Sequence, residues 1–364
     1  MIFSADFLHG IWLKQAQLSS LSNREWEALV LLLRSEMLLA RFAYWYENES
    51  EGFPAFVQAH LGNAKTLATR QAKQVEIEAR MLVPLCSQFS QHILFLKGAA
   101  YTLLGGQLAK GRVYSDIDIL VDKDALLSIE KRLGFKGWIA KPVNNYDEAY
   151  YRKWMHEIPP LIHSNRGTVL DIHHNIVPPV SGKAPPSAIL TEHTMQSQGG
   201  FETLSPAALV LHSSVHLFFN EDQDKGYRDL IDIWLLIQRF DSQEFWTELV
   251  RLTDCVGFKT DVILALYFVS QFFDVGVPKA LQPNTLPKAK RWLLKNIYSK
   301  TVLPSHPYMQ CKYQGIAITL AWARGHWCKM PIPILLYHFL VKGSRKFIEK
   351  LFGDHVFKNS QSGS

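Results

Sequence analysis

The stretch Arg112-Val-Tyr-Ser-Asp-Ile-Asp-Ile-Leu-Val121 decides the fold, because an apolar run suited to one buried strand contains two aspartates. Successive side chains of a strand point to opposite faces, so Asp116 and Asp118 lie on the same face. Two carboxylates this close repel each other, and ionising both is costly unless a positive charge compensates them. A hard divalent cation fits such oxygen donors. The alternative is an ordinary strand end with two solvated aspartates.

A second short apolar run, residues 92–96, is followed directly by Lys97 and Gly98 and then by a helical pattern. A turn from a strand into a helix points backbone N–H groups and the positive end of the helix dipole at an anion. Gly98 lacks a Cβ, so the backbone can approach a phosphate closely. A simple strand-to-helix turn is the alternative. The neighbouring Lys97 and the two aspartates favour a phosphate site.

A predicted hairpin follows, with strands at 157–163 and 168–173 around the turn residues 165–167. On its second strand, Asp171 and His173 share one face. An aspartate inside a β-branched strand is costly to bury without a partner. We therefore expect Asp171 to be a third metal ligand facing Asp116 and Asp118, with His173 orienting a ligand carboxylate or the acceptor.

Helical periodicity surrounds this centre on both sides. The patterns predict helices at 22–47 and 62–88, and again at 206–219, 227–239, 245–252 and 262–273. The proline- and glycine-rich segment 177–200 is the best candidate for a linker. We therefore divide the chain into four parts: an N-terminal helical region (1–90), a catalytic core (91–200), a C-terminal helical domain (201–355) and a disordered tail (356–364).

Composition suits a globular protein with a substantial core, since 48% of the residues are hydrophobic and 20% are charged. A net charge of +6 fits a nucleotide phosphate but gives no basic stripe for long nucleic acid. The four cysteines show no metal-type or disulfide spacing, the first residues resemble no secretory signal, and no apolar run spans a bilayer. We expect a cytoplasmic protein without a transmembrane segment.

The apolar and basic stretch 331–350 allows two interpretations. A helix docked on the core is the simpler one, because an apolar stripe usually faces a core. A helix lying on a membrane surface, with its basic flank towards the lipid, is the alternative.

Three ordered motifs resemble the uncharacterised nucleotidyltransferase family of the DNA polymerase β-like superfamily. They are Leu96-Lys-Gly-Ala-Ala100, Arg112 with Asp116-Ile-Asp-Ile-Leu-Val121, and Val169-Leu-Asp-Ile-His173. The resemblance continues through His212, His216 and residues 227–232. It implies an α+β fold in which a small mixed β-sheet with flanking helices carries helical N-terminal and C-terminal regions.

The resemblance also implies transfer of a nucleoside monophosphate from NTP, ATP among the candidates, to a hydroxyl of a small or biosynthetic acceptor. Two Mg²⁺ ions, or Mn²⁺, would be held by the catalytic residues Asp116, Asp118 and Asp171. The residues expected to bind the nucleotide are Lys97, Gly98, Arg112, Ser115 and Arg228. One departure is Ala99, which stands where the superfamily usually has a serine hydroxyl beside the phosphates.

Two other functions fit parts of the sequence. A non-catalytic nucleotide-binding or antitoxin-like module would keep the fold, but it would be free to lose one of the three aspartates. A metal-dependent hydrolase would use His212 and His216, which are spaced i, i+4 on a helix and can bind zinc. A polar seam between helices, in which Arg228 bridges a carboxylate, explains the same histidines without a metal.

Overall fold

The computed structural model describes residues 3–142, 144–309 and 311–352. Within them the chain is an α+β protein with a seven-stranded mixed sheet surrounded by helices, which confirms the predicted fold class. The tail 356–364, expected to be disordered, lies outside the described residues. The division into four parts stays a prediction. The buried side chains form one continuous core from the first helix to the last third of the chain, so this core does not mark boundaries between the parts.

Two short and two longer helices precede the sheet: α1 (Ala5–Trp12), α2 (Asn23–Ser35), α3 (Leu39–Trp45) and α4 (Ala55–Cys86). Ser22 caps the start of α2, since its hydroxyl accepts the Glu25 N–H while the Glu25 carboxylate accepts the Ser22 N–H. The single helix expected over 22–47 is two helices. Met37 between them has φ +56°, a left-handed conformation that interrupts helical geometry.

The strands are β1 (Ile93–Leu96), β2 (Ile117–Val121), β3 (Trp138–Ala140), β4 (Leu161–His163), β5 (Val169–His173), β6 (Thr194–Gln196) and β7 (Glu202–Leu204). Their spatial order is β3-β4-β5-β2-β1-β7-β6. β2 lies between antiparallel β1 and parallel β5. The predicted hairpin is present as β4 and β5, with Gly167 in the turn at φ +67°.

Four helices accompany the strands: α5 (Lys97–Leu104), α6 (Leu126–Gly134), α7 (Asn145–Trp154) and α8 (Ser187–Thr191). The segment 177–200 is more than a linker, because it contains α8 and the edge strand β6. β6 pairs with β7, and β7 in turn pairs with β1. The sheet therefore extends to Leu204, a few residues past the predicted end of the core.

The rest of the described chain is helical, as expected from Ser205 onward: α9 (Pro206–Phe219), α10 (Gly226–Phe240), α11 (Gln243–Val256), α12 (Lys259–Phe273), α13 (Lys288–Thr301), α14 (Gln314–Lys329) and α15 (Ile332–Phe352). Among the described residues, no helix combines the length and the apolar character needed to span a bilayer.

A buried ion cluster joins the helical regions to the sheet. Asp232 of α10 accepts hydrogen bonds from Arg41 of α3 at 2.8 Å and from Arg112, just before β2, at 2.7 Å. Both guanidinium groups and the carboxylate are almost fully buried. Removing one partner of such a cluster leaves an uncompensated buried charge, so the three segments are held together.

Gly111 tests the contact between α3 and the loop that leads into β2. Its φ is +70°, and an added Cβ would lie 2.4 Å from the backbone nitrogen of Arg41. Gly111→Ala should therefore lower the free energy of unfolding by about 3 kcal/mol or more, as measured by urea denaturation. Gly62→Ala is the control, because a Cβ at Gly62 inside α4 meets nothing within 4 Å. It should stabilise by up to about 1 kcal/mol, and equal effects of the two substitutions would contradict the tight contact.

Candidate active site

The sheet register brings the predicted site residues of three strands together. Asp118 of β2 is the register partner of Asp171 on β5 and of Leu96 on β1. Lys97 follows Leu96 directly as the first residue of α5. One end of the three central strands therefore carries Lys97, Asp118 and Asp171 side by side, as the spacing of the motifs indicated.

Asp118 is a buried carboxylate held by two positive or hydrogen-bonding groups. Its Oδ1 lies 2.7 Å from Lys97 Nζ and 2.9 Å from His173 Nε2. Burial opposes ionisation of Asp118, but the charge of Lys97 and the hydrogen bond from His173 outweigh it and lower the pKa of this carboxyl well below its usual range. Asp118 is therefore ionised at neutral pH.

Lys97 has an unusual backbone conformation for its position between a strand and a helix. Its φ is +46°, in the left-handed region that residues with a side chain rarely adopt. Such strain persists where surrounding contacts fix it, and here the ammonium group is fixed on Asp118. Burial opposes protonation of Lys97, but Asp118 raises its pKa, so the side chain stays charged.

Asp171 has the opposite electrostatic character. Its Oδ1 is buried and has no hydrogen-bond partner. Burial first, and then the negative charge of Asp118, raise the pKa of Asp171 to about 7. An unsatisfied buried carboxylate oxygen beside a second carboxylate is a position where a cation or an acidic proton is favoured. Two neighbouring aspartates thus have pKa values displaced in opposite directions.

Asp116 directly precedes β2 at this end of the sheet and is partly exposed. It accepts a hydrogen bond from the exposed Ser115 hydroxyl at 3.0 Å. No choice of one oxygen from each of Asp116, Asp118 and Asp171 brings all three within 4.8 Å of one another. The three aspartates share one end of the sheet, and Lys97 and His173 occupy the position next to Asp118.

The glycine turn is packed closely against the loop that precedes β2. A Cβ at Gly98 would lie 3.0 Å from Tyr114 Cβ, so a side chain here would displace Tyr114. Tyr114 is itself anchored on α4 by a hydrogen bond from its hydroxyl to the Gln71 carbonyl oxygen. Ala99 is fully buried, and its methyl side chain offers no hydroxyl to a phosphate. Gly98 is thus needed for the close contact with Tyr114, and its approach to a phosphate stays a prediction.

Arg112 and Arg228, both predicted to bind nucleotide, form ion pairs with protein carboxylates. Arg112 is bound to Asp232 in the buried cluster, and its terminal nitrogen lies 3.9 Å from Asp229. Arg228 donates from Nε and a terminal nitrogen to one oxygen of Asp229, at 2.9 and 2.8 Å. Arg228 therefore pairs within its own helix α10, and a polar seam between α9 and α10 stays a prediction. Contact of either arginine with nucleotide stays a prediction.

His156 and Glu157, which the sequence motifs did not single out, extend the site at His173. Glu157 bridges to β5, and its Oε2 lies 3.2 Å from His173 Nδ1. Burial lowers the pKa of His173, but Asp118 and Glu157 raise it overall. His156, Glu157 and His173 are the one set of three or more potential metal ligands within 4.8 Å of one another in the described chain. The signal for Glu157 was only its place at the start of the predicted hairpin.

His212 and His216 lie on α9, and their rings are 6.5 Å apart. Burial lowers the pKa of His212 to about 3 and that of His216 well below its usual value, with a further contribution from Lys97. Both are therefore neutral at physiological pH. They do not belong to the ligand set defined by His156, Glu157 and His173, and His212 Nδ1 is buried without a hydrogen-bond partner.

Comparison with known proteins agrees with this geometry. A family model described as an uncharacterised nucleotidyltransferase matches residues 22–274, which include the sheet, the aspartates and helices α2 to α12. No curated protein and no solved structure matches the chain.

The raised pKa of Asp171 predicts how stability changes with pH. Because its folded pKa of about 7 exceeds the ordinary value of 3.8, the folded state favours the protonated carboxyl. The associated stability is present below pH 4 and is lost as the pH rises through 7. Asp171→Asn should therefore unfold at higher urea than the wild type at pH 8, by on the order of 2 kcal/mol with EDTA present, and the difference should vanish near pH 4.

Asp124→Asn is the control for this comparison, because Asp124 is exposed at the far end of β2. It should change the free energy of unfolding by less than about 0.5 kcal/mol at either pH. A pH-independent difference between wild type and Asp171→Asn would contradict the assigned pKa.

Proposed function

This chain belongs to the uncharacterised nucleotidyltransferase family, and we propose that it transfers a nucleoside monophosphate from NTP to a hydroxyl of a small or biosynthetic acceptor. The observation that carries the proposal is the pairing of Asp118 with Asp171 across β2 and β5, with Lys97 on Asp118. Burying two carboxylates side by side lowers the stability of the fold unless positive charge compensates both of them. The family fixes the general reaction class, and this geometry supports the particular mechanism.

The donor set fits magnesium. Asp116, Asp118 and Asp171 offer only carboxylate oxygens, the ligands that Mg²⁺ and Mn²⁺ prefer, and Asp171 Oδ1 is buried without a partner. We propose that these residues hold two such ions. When bound, the ions neutralise charge on the triphosphate and make the acceptor hydroxyl more acidic.

The residues of the chain supply the remaining steps. The Lys97 ammonium and the first N–H groups of α5 bind the phosphates, with Gly98 at the turn. Asp171, which lies beside Asp118 in the sheet register, accepts the proton of the acceptor hydroxyl. The acceptor oxygen then forms a bond to the α-phosphorus of the NTP. At the same time the bond between the α-phosphorus and the oxygen that bridges the α- and β-phosphates breaks, and pyrophosphate leaves.

His173 has a positioning role in this proposal. Its two ring nitrogens lie next to Asp118 and Glu157, so the imidazole fixes the orientation of Asp118. We propose that Ser115, which is exposed beside Asp116, also contacts the nucleotide, and that Arg112 and Arg228 support the site from their ion pairs with Asp232 and Asp229. We propose a cytoplasmic location, because NTP is available there and a reducing compartment suits four cysteines without disulfide spacing.

NTP binding tests the proposed function directly. Calorimetric titration with ATP, GTP, CTP and UTP, each with and without MgCl₂, should show one nucleotide binding in a magnesium-dependent manner. That result also identifies which of the four nucleotide bases the protein prefers. If none of the four binds in either condition, the chain is a non-catalytic member of its family.

Asp118→Asn tests the carboxylate itself, because the change is nearly isosteric and removes one charge. Pyrophosphate release in the presence of a cell-extract acceptor pool should fall by ~1000-fold or more, while circular dichroism stays unchanged. Asp122→Asn is the matched control at the other end of β2, where Asp122 accepts hydrogen bonds from Ser90 and Gln91. Its activity should equal that of the wild type. Full activity in Asp118→Asn would contradict the site assignment.

A further inference from the structure

Exposed apolar side chains follow one face of α14. Ile316, Leu320, Ala323 and Trp327 recur at steps of three and four residues, and Tyr313 continues the row just before the helix. Tyr313 is 73% exposed, Ile316 62% and Trp327 64%. A row of large apolar side chains at helical spacing normally faces a core. This row faces away from the core of the protein.

The neighbouring helix α15 continues the apolar surface. Ile332, Leu336 and Leu340 recur every four residues, and each is more than half exposed. The two helices touch through Trp322 and Phe339, whose ring centroids are 5.5 Å apart. The C-terminal helix predicted over 331–350 is therefore present. It docks on α7 through His338, which is buried against Tyr146 and Tyr150. The row of Ile332, Leu336 and Leu340 is left exposed.

Charge is distributed unevenly between this region and the rest of the chain. Residues 288–352 contain 12 lysines and arginines and one acidic residue, Glu349. The whole chain has 39 basic and 33 acidic residues, so the remainder holds 27 basic and 32 acidic ones. The region is thus strongly basic on a protein that is otherwise slightly acidic. Lys288, Lys290 and Lys312 are exposed in this region.

We infer that the C-terminal surface, the exposed side chains of α13, α14 and α15, docks on a membrane that contains anionic lipid. Tryptophan and tyrosine favour the interface between headgroups and acyl chains, and lysine and arginine are attracted to anionic headgroups. Helices that lie in this interface have an apolar face and a basic polar face, and none of the described helices can span the bilayer. A protein partner would have to be acidic over this entire surface.

The C-terminal surface lies outside the matched residues 22–274 and shares no residue with the candidate active site. The inference therefore does not depend on the proposed reaction. Helix α14 packs on α13 and is tied to the core by Arg324, which donates to Asp261 at 3.0 Å. The apolar row is consequently presented by a fixed helix, which reduces the entropy lost on docking.

Vesicle flotation with the full chain tests the inference. The protein should float with vesicles of phosphatidylcholine and phosphatidylglycerol, and bind at least about tenfold more weakly to phosphatidylcholine alone or at high salt. The triple variant Ile316→Ser, Leu320→Ser, Trp327→Ser should lose binding. The charge variant Lys288→Glu, Lys290→Glu, Lys312→Glu should weaken binding to anionic vesicles by on the order of tenfold.

The matched control replaces three equally exposed apolar residues elsewhere, Leu67→Ser, Ile77→Ser and Leu127→Ser on α4 and α6. It should bind vesicles as the wild type does. Absence of wild-type binding, or binding by the Ile316, Leu320, Trp327 variant equal to that of the control, would overturn the inference. So would a concentration-dependent dimer in light scattering that this variant abolishes, because the surface would then be an interface between two copies.

Discussion

The register between β2 and β5 is the constraint on which the site depends. Parallel pairing sets Asp118 beside Asp171, and antiparallel pairing sets the end of β1, followed by Lys97, against Asp118 on the other side. A shift of one residue in either pairing would turn one carboxylate to the opposite face. The fully buried isoleucines Ile117, Ile119 and Ile172 oppose such a shift, because it would expose them. Core packing therefore positions the polar residues.

The fold contains two buried charge clusters, one around Asp118 and one around Asp232. At the sheet end, Lys97 and His173 compensate Asp118, while Asp171 remains without a hydrogen-bond partner for one oxygen. Behind it, Asp232 is fully paired with Arg41 and Arg112. The second cluster is complete and serves to join segments distant in sequence. The first is incomplete, and an incomplete buried site is where a ligand gains the most.

The sequence predicted the parts of this structure that depend on local pattern. Alternation placed Asp171 and His173 on one face of β5, and helical spacing located most of the helices. Pairings between distant residues leave no periodic signal, so Glu157 beside His173 and Arg41 beside Asp232 appeared only in the fold. The same limit explains β6, since a three-residue edge strand inside a proline- and glycine-rich segment is formed by its neighbour β7 rather than by its own propensity.

The central claim is that Asp118 and Asp171 form one metal site, and Mn²⁺ titration followed by electron paramagnetic resonance tests it most directly. The free-ion signal reports bound Mn²⁺ without any need to know the acceptor. The wild type should take up Mn²⁺ in the presence of a non-hydrolysable NTP analogue. Asp118→Asn and Asp171→Asn should each lose this uptake, while Asp122→Asn should keep it. Equal uptake by all four proteins would show that Asp118 and Asp171 do not bind the ion.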